Sequence, residues 1–328
     1  MITNDITLCV NKLEAGNLVG FPTETVYGLG ARADLPEAVN KIFKAKSRPV
    51  DHPLIIHGSD KNRLFETAKD IPEYAHLLAD KFWPGPLSLI LNRDVESLLV
   101  CDEATGGQKS VALRMPENDV ALELFSKCDF LVAGPSANIF KHVSPTSPEH
   151  VISEFGNELT VLNGGDSNIG VESTIVSCLY DKPKILREGS IDSKQIAKFL
   201  YIEESSLYLN HDISDIKVSG NLKTHYSPDA EVLIFKNPEE VINFLSKNDI
   251  KNAAYLGKSE IVDSRLKFIK TVNSNEEFAH ELYAFFRNSE DANCEMILVI
   301  ETDNEGIGAA INDRLYKAGR SWGDTYAV

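Results

Sequence analysis

A chain of 328 residues is long for one hydrophobic core, so two domains are expected. The apolar and charged fractions are those of ordinary globular proteins. The formal net charge of -16 argues against stable binding to nucleic acid, whose affinity rests on Lys and Arg displacing counterions, but leaves open small anions drawn by the local field of a cleft.

In chain order, Ile6, Val10 and Leu13 recur at helical spacing, with Asn4 or Asp5 to cap and Gly16 to stop the helix. A short apolar run, Leu18 to Phe21, ends at Pro22, which has no N–H to donate. Thr23, Glu24 and Thr25 then place hydroxyls and a carboxylate in a turn, and Gly28 and Gly30 read as a loop whose backbone N–H groups approach a ligand closely. Asp34 is expected to cap a helix with Pro36 in its first turn, running through Ala38, Ile42 and Phe43. Lys46 and Arg48 precede Pro49, and a buried strand, Leu54 to His57, ends on a histidine. A helix from Pro72 to Phe82, a strand Leu87–Leu91, a loop Ser97–Lys109 and a strand Ser110–Arg114 follow.

Next come a helix near Val120–Lys127, a strand Phe130–Ala133 stopped by Gly134-Pro-Ser-Ala-Asn138, a helix at Glu149–Phe155 and strand Leu159–Leu162. Glu172–Ser177 and Ile185–Arg187 resume β structure, and helix Ser193–Leu200 closes this half. Alternating strands and helices predict a layered α/β sheet. The chain then turns polar, which predicts a first domain over 1–203, a linker over 204–229 and a smaller α/β domain over 230–328. That second domain reads as Val232–Phe235, helix Pro238–Leu245, Ala253–Leu256, helix Glu276–Phe286, Met296–Ile300 and helix Ala309–Ala318.

His57, Arg114 and Ser136 fall at or just past the carboxyl ends of predicted strands, where ligands of open α/β sheets gather, which predicts one shared cleft. The Arg114 guanidinium suits a carboxylate held by two parallel hydrogen bonds, although it would equally pair with a surface acid. Lys46 and Arg48, otherwise a solvated helix end, would neutralise a polyphosphate; Arg187 carries the same two readings. His57 follows an apolar run and also fits a satisfied core histidine. Leu256-Gly-Lys-Ser259 lacks the first glycine of a phosphate loop, Gly28 to Ala33 follows a turn rather than a strand, and Gly306-Ile-Gly308 has Ile311 in place of the third glycine. Five scattered cysteines (Cys9, Cys101, Cys128, Cys178, Cys294) form no close pair, which argues against a zinc site or disulfide framework and fits a reducing compartment. With no membrane-length apolar run and no signal-peptide pattern, a cytoplasmic protein is expected.

FPTETVYGLGA (21–31) with KSRPVDHPLIIH (46–57), then WPGPLSLIL, SVALRMP, GPSAN, SPT and GVESTIV in that order, resembles the YrdC-like threonylcarbamoyl-AMP synthases. HYSP and GIGAAINDRLYKA resemble their longer, two-domain form. The resemblance implies a twisted α/β sheet domain with a concave site, and a smaller Rossmann-like accessory domain. It implies joining of L-threonine, bicarbonate and ATP into threonylcarbamoyl-AMP with release of pyrophosphate. The product would pass to a threonylcarbamoyl transferase that modifies tRNA adenosine beside the anticodon, without stable tRNA binding here.

Carried onto this sequence, the resemblance has Thr25, His57, Arg114, Gly134 and Ser173 surround threonine. Lys46, Arg48, His52, Ser110, Ser136, Ser144 and Arg187 face ATP. Lys46 and Arg48, with Arg187 and a Mg²⁺ ion whose ligands the sequence does not identify, neutralise the reacting phosphates. Tyr226 in the linker folds over the nucleotide as a lid. His52, Ser110 and Ser88 depart from the family's usual Asn, Thr and Thr. A non-catalytic RNA-binding module is opposed by the acidity, and a hydrogenase-maturation carbamoyl-transfer domain by the missing cysteine pairs.

Overall fold

The structure, a computed structural model, describes residues 1–208 and 226–323. The chain divides into two compact units, residues 1–140 with 144–221 and residues 141–143 with 222–328. The expected linker and lid over 204–229 fall mostly on 209–225, outside the described residues.

The strands of the first unit are β1 (Ile2–Thr3), β2 (Val19–Phe21), β3 (Gly28–Arg32), β4 (Ile55–His57), β5 (Leu87–Asn92), β6 (Ser110–Arg114), β7 (Val132–Gly134), β8 (Thr160–Leu162), β9 (Thr174–Ser177) and β10 (Lys184–Arg187). Its helices are α1 (Ile6–Glu14), α2 (Pro36–Lys46), α3 (Lys61–Phe65), α4 (Glu73–Phe82), α5 (Asp119–Ser126), α6 (Pro148–Phe155) and α7 (Ser193–Leu200). Among the described residues these ten strands form one sheet in the order β1-β8-β2-β3-β7-β4-β6-β5-β9-β10. The sheet is mixed: β4 runs parallel to β6 but antiparallel to β7, and β5 runs antiparallel to β6 and parallel to β9.

The predicted elements match this framework closely, and the departures have local causes. Asp34 does not cap α2, because Arg32 holds its carboxylate through two hydrogen bonds of 2.7 and 2.9 Å; Leu35 stands at the cap without a side-chain bond. The short α3, capped by Asp60, was not anticipated. Most consequential is β3, read from sequence as a ligand-facing glycine loop. Gly28 and Gly30 instead stand in an antiparallel pairing with Phe21 and Val19 of β2. Glycine is needed there for packing: a Cβ on Gly28 would lie 2.3 Å from the Phe21 ring, and one on Gly134 of β7 would lie 2.9 Å from it. The ring thus lies flat against bare backbone.

The two faces of the sheet bury different sets. Leu29, Ala31, Ile56, Leu89, Leu113 and Val176 pack with Val39 and Ile42 of α2 and Leu78 of α4. On the other face Val19, Phe21 and Val132 pack with Val10 and Leu13 of α1 and Leu124 and Phe125 of α5. This alternation follows from the period-two geometry of strands.

The second unit carries β11 (Glu231–Phe235), α8 (Pro238–Lys247), β12 (Ala253–Gly257), β13 (Leu266–Thr271), α9 (Asn275–Asp291), β14 (Met296–Ile300), α10 (Gly308–Ala318) and β15 (Arg320–Ser321). Its five strands are all parallel in the order β13-β12-β14-β11-β15, a separate α/β sheet. The edge strand β13 escaped the sequence reading because its buried and solvent-facing positions mix lysine with apolar residues. No helix among the described residues is long and apolar enough to cross a membrane.

The Phe21 contact makes a direct prediction. Gly28→Ala should destabilise the first unit by about 1–3 kcal/mol, the range for an overpacked core. The loss should be partly recovered in Gly28→Ala/Phe21→Leu. Urea denaturation midpoints measure both, and an unshifted midpoint for the single variant would contradict the packing argument.

Candidate active site

A row of polar side chains crosses the middle of the first sheet. His57 on β4 and Arg114 on β6 are direct register partners. Extending the Leu89–Leu113 pairing by one residue places Ser88 of β5 opposite Arg114. The Ser88 hydroxyl lies 2.9 Å from that of Ser173, the residue before β9. Arg187 at the end of β10 donates to the Ser173 carbonyl at 3.0 Å and to its hydroxyl at 3.1 Å. Each of these five side chains is at least nine-tenths buried.

Arg114 sits 2.7 Å from Glu24, and both side chains are only 4% exposed. The guanidinium N–H is poorly aligned with the carboxylate, and neither Glu24 oxygen receives a hydrogen bond from the described residues. Leaving a buried acceptor without a donor costs about 1–3 kcal/mol. Such a group points to a site built for an additional partner. Glu24 belongs to the turn between β2 and β3, where Thr23 donates to the Val26 carbonyl at 2.6 Å and meets the Thr25 hydroxyl at 2.8 Å. Ile169 N–H and Gly170 N–H donate to the Glu24 and Thr25 carbonyls at 2.8 and 3.2 Å, so the turn is clamped from outside as well.

His57 is packed edge-on against Phe21 at 5.3 Å. Burial, and then the Arg114 charge, push its pKa down to about 3, against weaker opposition from the Val132 and Ile55 backbone. The ring is therefore neutral at physiological pH. It offers a polar edge without adding charge beside Arg114.

A second group gathers around the segment after β7. Lys46, 1% exposed at the end of α2, donates to the Ser136 carbonyl at 2.6 Å and also to the Asn138 carbonyl. Burial, reinforced by Arg48 and opposed by Glu154, holds its pKa well below that of a free lysine. Arg48 donates to the Pro53 carbonyl at 3.1 Å and lies 5.8 Å from the Phe140 ring, whose edge also meets His52 at 5.6 Å. Ser144 donates to Glu172 at 2.6 Å, and both are buried.

The structure thus joins His57, Arg114, Ser173, Arg187 and the Thr25 turn through a continuous set of contacts. Lys46, Ser136, Arg48 and His52 gather about the 136–140 segment. The three residues expected at strand ends do not share one edge of the sheet. Because β7 runs antiparallel to β4, Ser136, bridged to Gly28 of β3, lies toward the edge where β4 begins, whereas His57 and Arg114 stand where β4 and β6 end. Ser110 opens β6, four positions from Arg114, and pairs with Asn92. The polar groups are therefore spread across the width of the sheet rather than along one rim. Gly134 makes room for Phe21. Tyr226 belongs to the second unit, where its ring stacks on Tyr283 at 5.7 Å and lies 5.2 Å from the Arg314 guanidinium carbon. Glu24 and Glu172 were not given site roles from sequence. Their signal was position, since each directly precedes a predicted site residue, Thr25 or Ser173.

Buried basic side chains thus stand beside buried hydroxyls across the middle of the sheet, a grouping suited to small anions. A family profile described as "Telomere recombination", covering Sua5, yciO and yrdC, matches residues 11–189, and one described as "Threonylcarbamoyl-AMP synthase, C-terminal domain" matches residues 191–319. The chain belongs to the Sua5/yciO/yrdC family.

Threonylcarbamoyl-AMP synthase from Pyrococcus abyssi is 36% identical over 323 residues, covering 95% of this chain and 93% of the relative. The Bacillus subtilis enzyme of the same name is 35% identical over 332 residues, covering 96% and 94%. The crystal structure of P. abyssi Sua5 complexed with L-threonine aligns with a TM-score of 0.86 at 34% identity, covering 98% of this chain and 99% of that one. Escherichia coli YciO, at TM-score 0.51 and 19% identity, shares the fold.

The depressed His57 pKa has a measurable sign. Between about 3 in the fold and 6.5, its ordinary value, the unfolded chain binds the extra proton, so this residue makes stability fall as pH drops through that window. The loss in urea midpoint from pH 7 to pH 4.5 should be smaller in His57→Gln than in the unmodified protein. Equal losses would show that the histidine is not held neutral.

Proposed function

We propose that this chain is an L-threonylcarbamoyladenylate synthase, converting L-threonine, bicarbonate or CO₂ and ATP into threonylcarbamoyl-AMP and pyrophosphate. The observation that carries this is the buried row from His57 through Arg114, Ser88 and Ser173 to Arg187, in a chain similar over nearly its whole length to synthases of that name. Arg114 binds the amino-acid carboxylate, for which its fork of donors is suited. The Thr25 turn, His57 and Ser173 read the rest of threonine. The amine takes up CO₂ as a carbamate, whose oxygen attacks the α-phosphorus while pyrophosphate leaves.

Lys46, Arg48 and Arg187 stabilise the charge that develops on the phosphates, and the rest of the acceleration comes from holding two reactants in line. His52, Ser110, Ser136 and Ser144 contact the nucleotide. Carbamates and acyl adenylates decompose in water, so burial of the row protects both.

Mg²⁺ accompanies ATP in this scheme. It is commonly held by one or two carboxylates plus substrate phosphates. Among the described residues there is no group of three or more acidic, His or Cys side chains placed to bind a metal alone, while the buried Ser144–Glu172 pair supplies hard oxygens. Glu172 would be its protein ligand, and the ion would help neutralise the phosphate oxygens. The product would go to a transferase acting on tRNA, without a lasting complex between tRNA and this acidic chain.

Incubation with ATP, bicarbonate and a panel of amino acids, followed by pyrophosphate release and product mass, tests the reading. A threonylcarbamoyl-AMP mass that appears only with threonine is expected; pyrophosphate release independent of the amino acid would sink it. Arg114→Ala should lower kcat/KM for threonine roughly tenfold to a hundredfold, the equivalent of one or two charged hydrogen bonds. ATP affinity should change little.

A further inference from the structure

The carboxylate of Glu24 is the most unusual group in the site. It is 4% exposed, lies 2.7 Å from Arg114, and receives no hydrogen bond from the described residues. A side chain serving only as the counter-ion of an arginine would gain most from the bidentate geometry that arginine and carboxylate favour. Here the pair is misaligned, so both partners keep hydrogen-bonding capacity for a third group.

An amino acid supplies two groups that match these partners. Its carboxylate fits Arg114, and its ammonium, only two bonds from the carboxylate carbon, then falls beside Glu24. We propose that Glu24 binds the α-ammonium of the amino-acid substrate and removes its proton, acting as the base that frees the amine for carbamate formation. This rests on the synthase reading given above.

Glu24 takes a proton from the ammonium, leaving the nitrogen lone pair free. That proton passes to the hydroxyl of bicarbonate, whose C–O bond breaks to give CO₂ and water. The nitrogen attacks the CO₂ carbon, the N–C bond forms as one C=O π pair moves to oxygen, and the second N–H proton goes to Glu24 and on to solvent. In sum, ammonium and bicarbonate give carbamate, water and one proton.

The surroundings favour this cycle. The misaligned pair leaves donors on Arg114 open to a substrate carboxylate and both Glu24 oxygens open to the neighbouring ammonium. His57 on β4 is reached by the Arg114 charge, Arg187 on β10 bonds to Ser173 of the same row, and Glu172, next to Ser173 in the chain, pairs with Ser144. His57 is a poor acceptor of the ammonium proton where it stands, packed on Phe21 beside a permanent cation.

The test is Glu24→Gln, which keeps shape and removes the base, assayed as threonine-dependent pyrophosphate release from pH 7 to pH 9. Wild-type protein must first form threonylcarbamoyl-AMP; failure there counts against the synthase reading, not against Glu24. We expect kcat to fall by roughly a hundredfold at pH 7, the lower end for loss of a general base. The gap to wild type should narrow steadily as pH rises and solution supplies the free amine. A wild-type to variant ratio that stays constant across this range would overturn the proposal, leaving Glu24 a structural counter-ion. If the Gln variant does not fold, Glu24→Asp decides: a lower kcat with the wild-type pH dependence is expected, and a raised threonine KM with unchanged kcat would overturn it.

Discussion

A guanidinium buried in the middle of a sheet must always have an anion beside it. Stranding a buried charge costs several kcal/mol. At 4% exposure, water cannot do that work, and Glu24 does it instead. Glu24 sits on the turn between two strands at the other side of β7 and β4, so the requirement of one arginine fixes the position of the whole 22–27 segment. The Thr23 bonds and the N–H groups of Ile169 and Gly170 then hold the turn in the shape this demands.

The other fixed point is an aromatic ring on bare backbone. Phe21 fills the space left by Gly28 and Gly134, and on its edge it supports His57. Deleting side chains on two neighbouring strands lets a large ring lie close to the sheet, and the ring holds the imidazole in a dry place. Desolvation then keeps the imidazole uncharged next to Arg114. A packing feature of β2 and β3 thereby contributes to the burial of a group on β4.

Much of this was legible in the sequence. Apolar periodicity located most helices and strands of both units, and the ordered motifs pointed to the family and to the candidate residues. What composition and periodicity could not convey was strand direction. Three residues at predicted strand ends look alike whether the strands run together or against each other, and the antiparallel β7 separates Ser136 from His57 and Arg114. The glycines of β3 misled for a related reason. Gly28 and Gly30 carry the signature of a loop, and only the partner ring, seven and more residues away along the chain, shows that they belong to a ladder. Glu24 and Glu172 were visible as letters, but their importance lies in burial and in what they face.

The row from His57 to Arg187 crosses four steps of the sheet, from β4 through β6, β5 and β9 to β10. Adjacent strands rotate by about 20–25° each, so over four steps the outward direction turns by roughly a right angle. The side chains at the two ends therefore leave the backbone like blades at different angles on a screw.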